Sequence, residues 1–596
     1  MKIKRILENN FFMLKFVWKY SKANVILRFL STLTAMVQPF IFIIAMKLAI
    51  DGIADRMGIH YILTVILSAF LVGTVSAMIN AWINNNSSAK AQQEISRGIQ
   101  GELLRKALTL DVACFDNAEY YDKYIRAMRE AESRAITVLN TLIDITSSII
   151  ALLMIVSLII SLNAIVILIC LVILVINILL NFKRNKIVRS KDEEMLRPQR
   201  EAEYAKRLFY EPQYVQEMHL GKLGILMRKK FDNAKRKTLS VVKKYCGKFV
   251  FFDSAFNATG YALMSSVMVV AAFQITVGTL SIGDFAALLN SAEQLLQKLI
   301  SLFGQIPKLS ENSIYIEDLR AILDFESEIF SENGEFEPIN NENSIEFKNV
   351  SFTYPGKEIP VLKNINIEIK HGKTTAIVGY NGVGKSTFVK LLLRFYDPNR
   401  GSVSFGNTDY KLLDPEVLRE KFGVVFQNYK CYALSVAENV LLDDQLNEES
   451  EKKVVSALRY SGIYEKIFAL DKGLNTNLSR EFDTDGVPLS GGEEQKIAIA
   501  RAVVEDKDIL VMDEPSSALD PIAEYDINQK ILSLSRNKTV VLISHRLSTV
   551  KMADMIYMMD NGEIIESGTH NELMSLQGKY YEMFTKQAEK YIISEE

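Results

Sequence analysis

The chain has 596 residues, 49% of them hydrophobic and 23% charged, with a net charge of −2 and a mean hydropathy of +0.09. That length exceeds a single core, and so high a hydropathy beside 69 basic and 71 acidic residues means that the apolar residues are gathered in blocks. The near-neutral charge excludes a generally nucleic-acid-binding chain, which needs a basic surface, and four cysteines without CxxC spacing (Cys114, Cys170, Cys246, Cys431) exclude a zinc or disulfide framework.

The N-terminal stretch 1–23, with Phe11, Phe12, Phe16 and Trp18 set among lysines, lacks the continuous apolar run of a signal peptide and predicts an amphipathic helix at the membrane interface. Six runs of roughly 20 or more mostly apolar residues follow, each long enough for a ~30 Å hydrocarbon core. They cover 24–50, 58–83, 138–161, 164–182, 249–277 and 281–306. Segment 84–134 carries eight Lys and Arg and segment 183–248 carries nineteen, whereas the short connections at 51–57, 162–163 and 276–280 carry only Arg56. The positive-inside rule then places the long basic stretches and both termini in the cytoplasm. Both basic stretches have helical composition, so the membrane helices are expected to continue past the bilayer and to turn near 113–120 and 211–218.

The transmembrane region is expected over 24–320 and a linker over 321–344, where FESEIFSENGEFEPINNENS is acidic and poor in apolar residues. From Ile345 to the end, β-rich runs alternate with helices (SIEFKNVSF, INIEIK, TTAIVGY, FGVVFQ, DILVMDE, TVVLISH), which predicts an α/β domain on a mainly parallel sheet.

Three motifs in that domain carry chemistry. Gly379-Tyr380-Asn381-Gly382-Val383-Gly384-Lys385-Ser386 fits G-x-x-x-x-G-K-[ST] between a strand and a helix, the context of a phosphate loop. Gly379, Gly382 and Gly384 let backbone N–H groups turn onto phosphate oxygens, Lys385 neutralises them, and the Ser386 hydroxyl serves Mg²⁺. Ile509-Leu-Val-Met-Asp513-Glu514 ends an apolar strand in two carboxylates, Asp513 for Mg²⁺ and Glu514 for an attacking water. Leu489-Ser490-Gly491-Gly492-Glu493 opens a helix whose N-terminus suits an anion, or is a plain N-cap. One protomer is not expected to place both loops on one nucleotide, so Ser490, Gly491 and Gly492 are expected to serve a nucleotide held by another subunit.

In this order and at these separations, with His545 (VLISHRLS) following, the motifs resemble the nucleotide-binding domain of ABC transporters. With six spans ahead of it, the chain resembles a half-size ABC exporter: an α-helical membrane domain of six long helices followed by an α/β P-loop domain. The resemblance implies ATP and Mg²⁺ as cofactors, with Asn381 and Thr387 among the ATP contacts. It also implies Tyr354 (SFTYP) as the adenine-stacking aromatic, Gln427 (VVFQN) as a Mg²⁺ ligand that senses the membrane domain, and Asp520 (SSALD) as a link between the two ATP sites. His545 is implied as the γ-phosphate contact that supports Glu514. The sequence departs from the family at Glu481-Phe-Asp-Thr-Asp-Gly486, where exporters often read Glu-Val-Gly-Glu-x-Gly, and at Glu493, where Gln is usual.

The segments FDNAEYYDKYIRA (115–127), YEPQYVQEMHLGK (210–222) and FQNYKCYALSVAENV (426–440) are similar to bacterial lantibiotic exporters of the nisin-transporter type, which implies a modified peptide as cargo. Asp116 and Pro212 lie at the two expected cytoplasmic turns, which in the family dock on the nucleotide domains. No leader-cleaving protease domain is expected, since the 23 residues before the first span contain no cysteine. Gln38-Pro39, Asp144, Asn177, Asn181, Asp253 and Asn257 stand near membrane depth, as cargo contacts or as helix–helix locks. The expected protein is thus a homodimeric, multi-pass ATPase of a bacterial plasma membrane, in contact with lipid and not with nucleic acid. It moves a peptide outward by alternating access. The alternatives are a lipid or hydrophobic-drug exporter and an ATP-dependent sensor or scaffold. Intact Glu514 and Ser490–Gly492 favour a homodimer with two competent sites.

Overall fold

The computed structural model describes residues 3–329, 344–515, 524–526, 529–530 and 538–592. Two compact units form: Met1–Leu108 with Asp122–Phe325, and Thr109–Tyr121 with Glu326–Glu596. Most of the predicted linker, 330–343, lies outside the described residues.

The first unit is helical. Helix α1 (Ile3–Tyr20) precedes α2 (Lys22–Ala54) and α3 (Ile59–Trp82), and α3 runs through one π turn (Ile83–Ser87) into α4 (Ser88–Leu108). A short α5 (Val112–Asp116), which belongs to the second unit, leads to α6 (Ala118–Leu162), α7 (Ala164–Arg207), a short α8 (Pro212–His219), α9 (Leu223–Thr276) and α10 (Ile282–Leu323). The two short helices stand where the basic stretches predict turns. Among the described residues five helical segments are long and apolar enough to cross a membrane. The exception is α10, predicted as the sixth span; it is helical throughout, but Asp284, Glu293 and Lys298 dilute its apolar run.

Local chemistry sets the helix starts. The Asn163 carboxamide accepts the Ile165 N–H at 2.9 Å to begin α7, and a Ser281–Asp284 capping box begins α10. Ile159, Val166, Val267, Leu288 and Ala292 then pack α6, α7, α9 and α10 around one apolar core. Gly283 marks the approach of α10 to α2: a Cβ there would lie 2.5 Å from Asp51 Oδ1 and from the Lys47 carbonyl. Helix α1 buries Asn9, Asn10, Met13 and Val17 and leaves Phe11 and Trp18 exposed. Asn9 donates to the Ser313 hydroxyl at 2.9 Å and Asn10 to the Leu309 carbonyl at 3.0 Å, so α1 is anchored by hydrogen bonds to α10.

The second unit is built on two sheets. Strands β1 (Ile345–Phe352), β2 (Leu362–Ile369), β4 (Arg400–Phe405) and β5 (Thr408–Asp409) form an antiparallel sheet in the order β2-β1-β4-β5. Strands β3 (Thr374–Val378), β6 (Phe422–Val425), β7 (Ile509–Asp513), β8 (Thr539–Ile543), β9 (Met555–Asp560) and β10 (Glu563–Gly568) form the other, in the order β10-β9-β3-β8-β7-β6. All its pairs are parallel except β10 with β9. The two-residue period of a strand divides it between two cores. Ile377, Val511, Val541 and Ile543 face the antiparallel sheet and Phe388 of the helix Lys385–Leu392. Val378, Leu510, Met512, Val540 and Leu542 face Ala498, Ile499 and Ala502 of the helix Gly491–Val504. That helix is also buried on another side, where Ile497, Ala500 and Val504 join a helical core with Val454, Leu458 and Ile467. The predicted helical and α/β fold classes are both present, and the parallel strands carry the chemical motifs at their C-terminal ends, where such sheets bind ligands.

Candidate active site

The phosphate loop leaves β3 and enters the helix Lys385–Leu392. Gly379, Gly382 and Gly384 all have positive φ. Gly384, at φ +112°, is required twice over, since a Cβ there would also lie 2.7 Å from Leu362 Cδ2. Lys385 is 7% exposed, and its Nζ donates to the carbonyls of Gly379 (2.7 Å) and Tyr380 (3.0 Å). Burial pulls its pKa down, while Glu514 and Asp513 pull it up. The ammonium is thus held on the loop's own carbonyls, and among the described residues it forms no ion pair with a carboxylate. Asn381 and Ser386 are exposed at this loop and Thr387 is buried.

Tyr354 reaches the loop in an unexpected way. Its hydroxyl lies 3.0 Å from Thr387 Oγ1, its ring meets Phe352 and Tyr396 edge-on, and Lys390 Nζ stands 5.2 Å from its centroid. Lys390 also pairs with Asp116 at 2.8 Å, and Tyr396 donates to the same carboxylate at 2.6 Å. The short helix α5, with Ala113 against the core, is therefore bound to the helix that begins at the phosphate loop.

Strand β7 ends in Asp513, and Glu514 turns out of it with φ +51°. A left-handed, non-glycine residue costs about 1–2 kcal/mol, and the Glu514 N–H still pairs with the Ile543 carbonyl at 2.9 Å. The turn aims the carboxylate at two strand-end residues. Gln427 Nε2 donates to Glu514 Oε2 at 3.0 Å, and His545 Nδ1 lies 3.0 Å from Oε1. The Glu514 carboxylate is thus held at both oxygens. Two contacts escape sequence reading. Gln495 is fully buried and donates to the Glu514 carbonyl at 3.4 Å, and Gln587 donates to the His545 carbonyl at 2.6 Å. The only signal for Gln495 is a polar residue on the buried face of the helix in QKIAIARA.

Asp513 is 6% exposed, and its pKa is pushed up to about 6, first by burial and then by Glu514, against the pull of Lys385. A buried carboxylate with raised proton affinity is suited to a divalent cation that would restore its charge. The Gln427 amide gives its nitrogen to Glu514, and its oxygen is a donor that would suit a cation. With the Ser386 hydroxyl these are oxygen donors of the kind that would suit Mg²⁺; among the described residues no three His, Cys, Asp or Glu gather.

Ser490 caps the helix Gly491–Val504, its N–H held by Glu493 Oε2 at 2.9 Å, and Tyr429 donates to the Gly491 carbonyl at 2.9 Å. Upstream, Asp483 of the atypical stretch accepts from Asn477 at 3.0 Å and pairs with Lys472 at 3.6 Å. Asp520 lies outside the described residues.

In the first unit the polar residues near membrane depth divide. Asn177 accepts from Thr259 at 2.9 Å, Asn181 donates to the Asn177 carbonyl at 3.3 Å, and Asp253 pairs with Arg184 at 3.2 Å. Asn257 is exposed. Gln38 and Asp144 line a polar cavity of about 730 Å³ with Arg28, Asn80, Asn140 and Lys298. Gln38 also borders an apolar groove of about 690 Å³ between α2 and α3, walled by Phe42, Met46, Ile66 and Phe70.

Residues 23–202 match the family described as ABC transporter transmembrane region, and residues 362–517 match the family ABC transporter. The ATP-dependent lipid A-core flippase of Salmonella typhimurium (strain LT2) is 34% identical over 359 residues, 60% of each chain. The protein of the same name from Escherichia coli (strain K12) is 33% identical over the same extent. The match thus spans 60% of the length of these curated relatives. A solved structure of a bacterial Atm1-family ABC exporter with ATP bound superposes with a TM-score of 0.80 at 23% identity, covering 95% of this chain and 98% of that one. Two family models over successive parts of the chain and one fold over nearly all of it agree: the chain belongs to the ABC transporters, with a helical transmembrane region followed by an α/β nucleotide-binding domain in one polypeptide.

Proposed function

We propose that this protein is an ATP-driven exporter of an amphipathic, lipid-like cargo, working by alternating access as a dimer of two copies in a bacterial plasma membrane. The observation that carries the ATPase reading is Glu514, held through both carboxylate oxygens by Gln427 and His545 at the mouth of the phosphate loop. Gly379, Asn381, Gly382, Gly384, Lys385, Ser386 and Thr387 cradle the phosphates, and Tyr354 stacks on adenine. Ser386, Asp513 and Gln427 would hold Mg²⁺, which would supply charge neutralisation for the departing phosphate. Glu514 takes the proton of the attacking water, and His545 and Gln427 keep its carboxylate in line. Ser490, Gly491 and Gly492 of one copy close on the ATP of the other, and Asp520 links the two sites.

Closure must move a conformational equilibrium, and a swing from 1:99 to 99:1 takes about 5.5 kcal/mol of differential binding. Charge-assisted phosphate contacts of about 1.5–3 kcal/mol each supply that. The basic stretches and both termini face the cytoplasm, and the connections between spans face outward.

A lipid-like cargo is supported over the peptide expected from sequence by two observations. The curated relatives are named lipid A-core flippases, and a polar cavity with Arg28 and Lys298 adjoins an apolar groove through Gln38, a pairing that suits a charged head and acyl chains. A modified peptide is the second reading, supported by the lantibiotic-exporter-like segments at 115–127, 210–222 and 426–440. The test is reconstitution of the wild type beside Glu514→Gln in proteoliposomes, with phosphate release and lipid translocation followed together. The reading predicts hydrolysis stimulated by anionic lipid and translocation that the mutant abolishes. Stimulation by modified peptides alone would return the cargo to peptide, and an inactive wild type would point to a different partner subunit.

A further inference from the structure

The helix that opens with Ser490 carries two carboxylates, Glu493 and Glu494, in its first turn. Acidic residues there favour the helix itself, but they cancel the partial positive charge that an N-terminus offers to a phosphate. Glu493 is constrained at both oxygens. Oε2 accepts the Ser490 N–H at 2.9 Å, and Oε1 is bound by Lys466 Nζ. The pairing with Lys466 and the hydrogen bonds from Ser490 hold the carboxyl below the usual range against the opposing effect of burial. Lys466 projects from the short helix Tyr464–Phe468, whose Ile467 is fully buried in the helical core. The rings of Tyr464 and Phe468 lie 4.3 Å apart, and Arg459 sits 4.4 Å over Tyr464. The ammonium is thus presented from a packed stem.

We propose that Lys466 is a positioning residue for ATP-driven closure: by neutralising Glu493 and holding it on the Ser490 N–H, it keeps the acidic N-terminus of the helix Gly491–Val504 able to receive a γ-phosphate. The inference rests on the reading that Ser490–Gly492 serve the nucleotide of a second copy. The ion pair is half exposed, so its effect is moderate. It acts on ATP affinity, because the proton transfer at Glu514 does not use Lys466.

The test uses the full chain in lipid nanodiscs, with Lys466→Met to retain the packed stem, Lys466→Glu, Glu493→Gln, the double variant Lys466→Met/Glu493→Gln, and Ser490→Ala. Steady-state hydrolysis gives KM for ATP and kcat separately. In a Glu514→Gln background, retained radiolabelled ATP gives the concentration for half-maximal closure. Lys466→Met is expected to raise KM and the half-closure concentration about fivefold, with kcat changed less than twofold. Lys466→Glu should raise them further, and the double variant should return both to the wild-type value. A structural role alone would lower the melting temperature without rescue by Glu493→Gln. Unchanged KM in Lys466→Met, or failure of that rescue, overturns the proposal. If Ser490→Ala impairs closure while Lys466→Met does not, only the role of Lys466 fails; if Ser490→Ala leaves closure intact, the shared-nucleotide reading fails with it.

Discussion

The two units use polar residues in different ways. In the membrane-type unit several polar side chains pair between helices: Asn177 takes Thr259, Arg184 takes Asp253, Lys47 takes Asp284 at 2.6 Å, and Asn163 takes Gln274. In the nucleotide unit the chemically important groups are left with capacity to spare. Lys385 sits on backbone carbonyls, Asp513 is buried with a raised pKa, and Glu514 is held out of its strand by a left-handed backbone. Paired polar groups lock helices where water is scarce. Partly satisfied ones, maintained by a rigid sheet, wait for a ligand that completes them.

The largest expected effect breaks the poised carboxylate. Glu514→Gln should lower phosphate release by at least about a hundredfold while equilibrium ATP binding, measured by filter retention, persists. His545→Ala frees one carboxylate oxygen without removing the base and should slow hydrolysis roughly tenfold to a hundredfold. A loss as large as that of Glu514→Gln would mean that His545 itself carries the proton. In the other unit Gly283→Val drives a side chain into Asp51 and the Lys47 carbonyl and should destabilise the α2–α10 contact by about 1–3 kcal/mol. Thermal unfolding in detergent should show this, with ATP affinity unchanged. The smallest effect is expected from Asn177→Leu, which removes one interhelical hydrogen bond of about 0.6 kcal/mol. If that variant instead abolishes cargo-stimulated hydrolysis at unchanged stability, the membrane polar pairs are cargo contacts and the contrast between the units fails.

Cargo was the least legible property. Local similarity at 115–127, 210–222 and 426–440 pointed to peptide, whereas the relatives over 359 residues are lipid flippases. The reason is physical: under the proposed lipid-like reading, cargo would be recognised by a cavity walled by α2, α3, α6 and α10, and no short segment contains it. The sixth predicted span is the helix α10, which carries Asp284 and Glu293 and packs among its neighbours, with Asp284 paired to Lys47.

Sequence by itself determined the elements whose physics is local. Two-residue alternation, the glycines of the phosphate loop and the carboxylates ending β7 depend on neighbours a few residues away, and they were readable in order. Tertiary structure alone decided which distant groups meet. The sheet order β9-β3-β8-β7-β6 sets Gln427 and His545, 87 and 31 residues from Glu514 along the chain, on its two oxygens. It was also the fold that bound Asp116 of α5 to Lys390, and Lys466 to Glu493. Backbone preference is encoded residue by residue, whereas side-chain pairing across a sheet or between helices depends on packing that only the complete fold supplies.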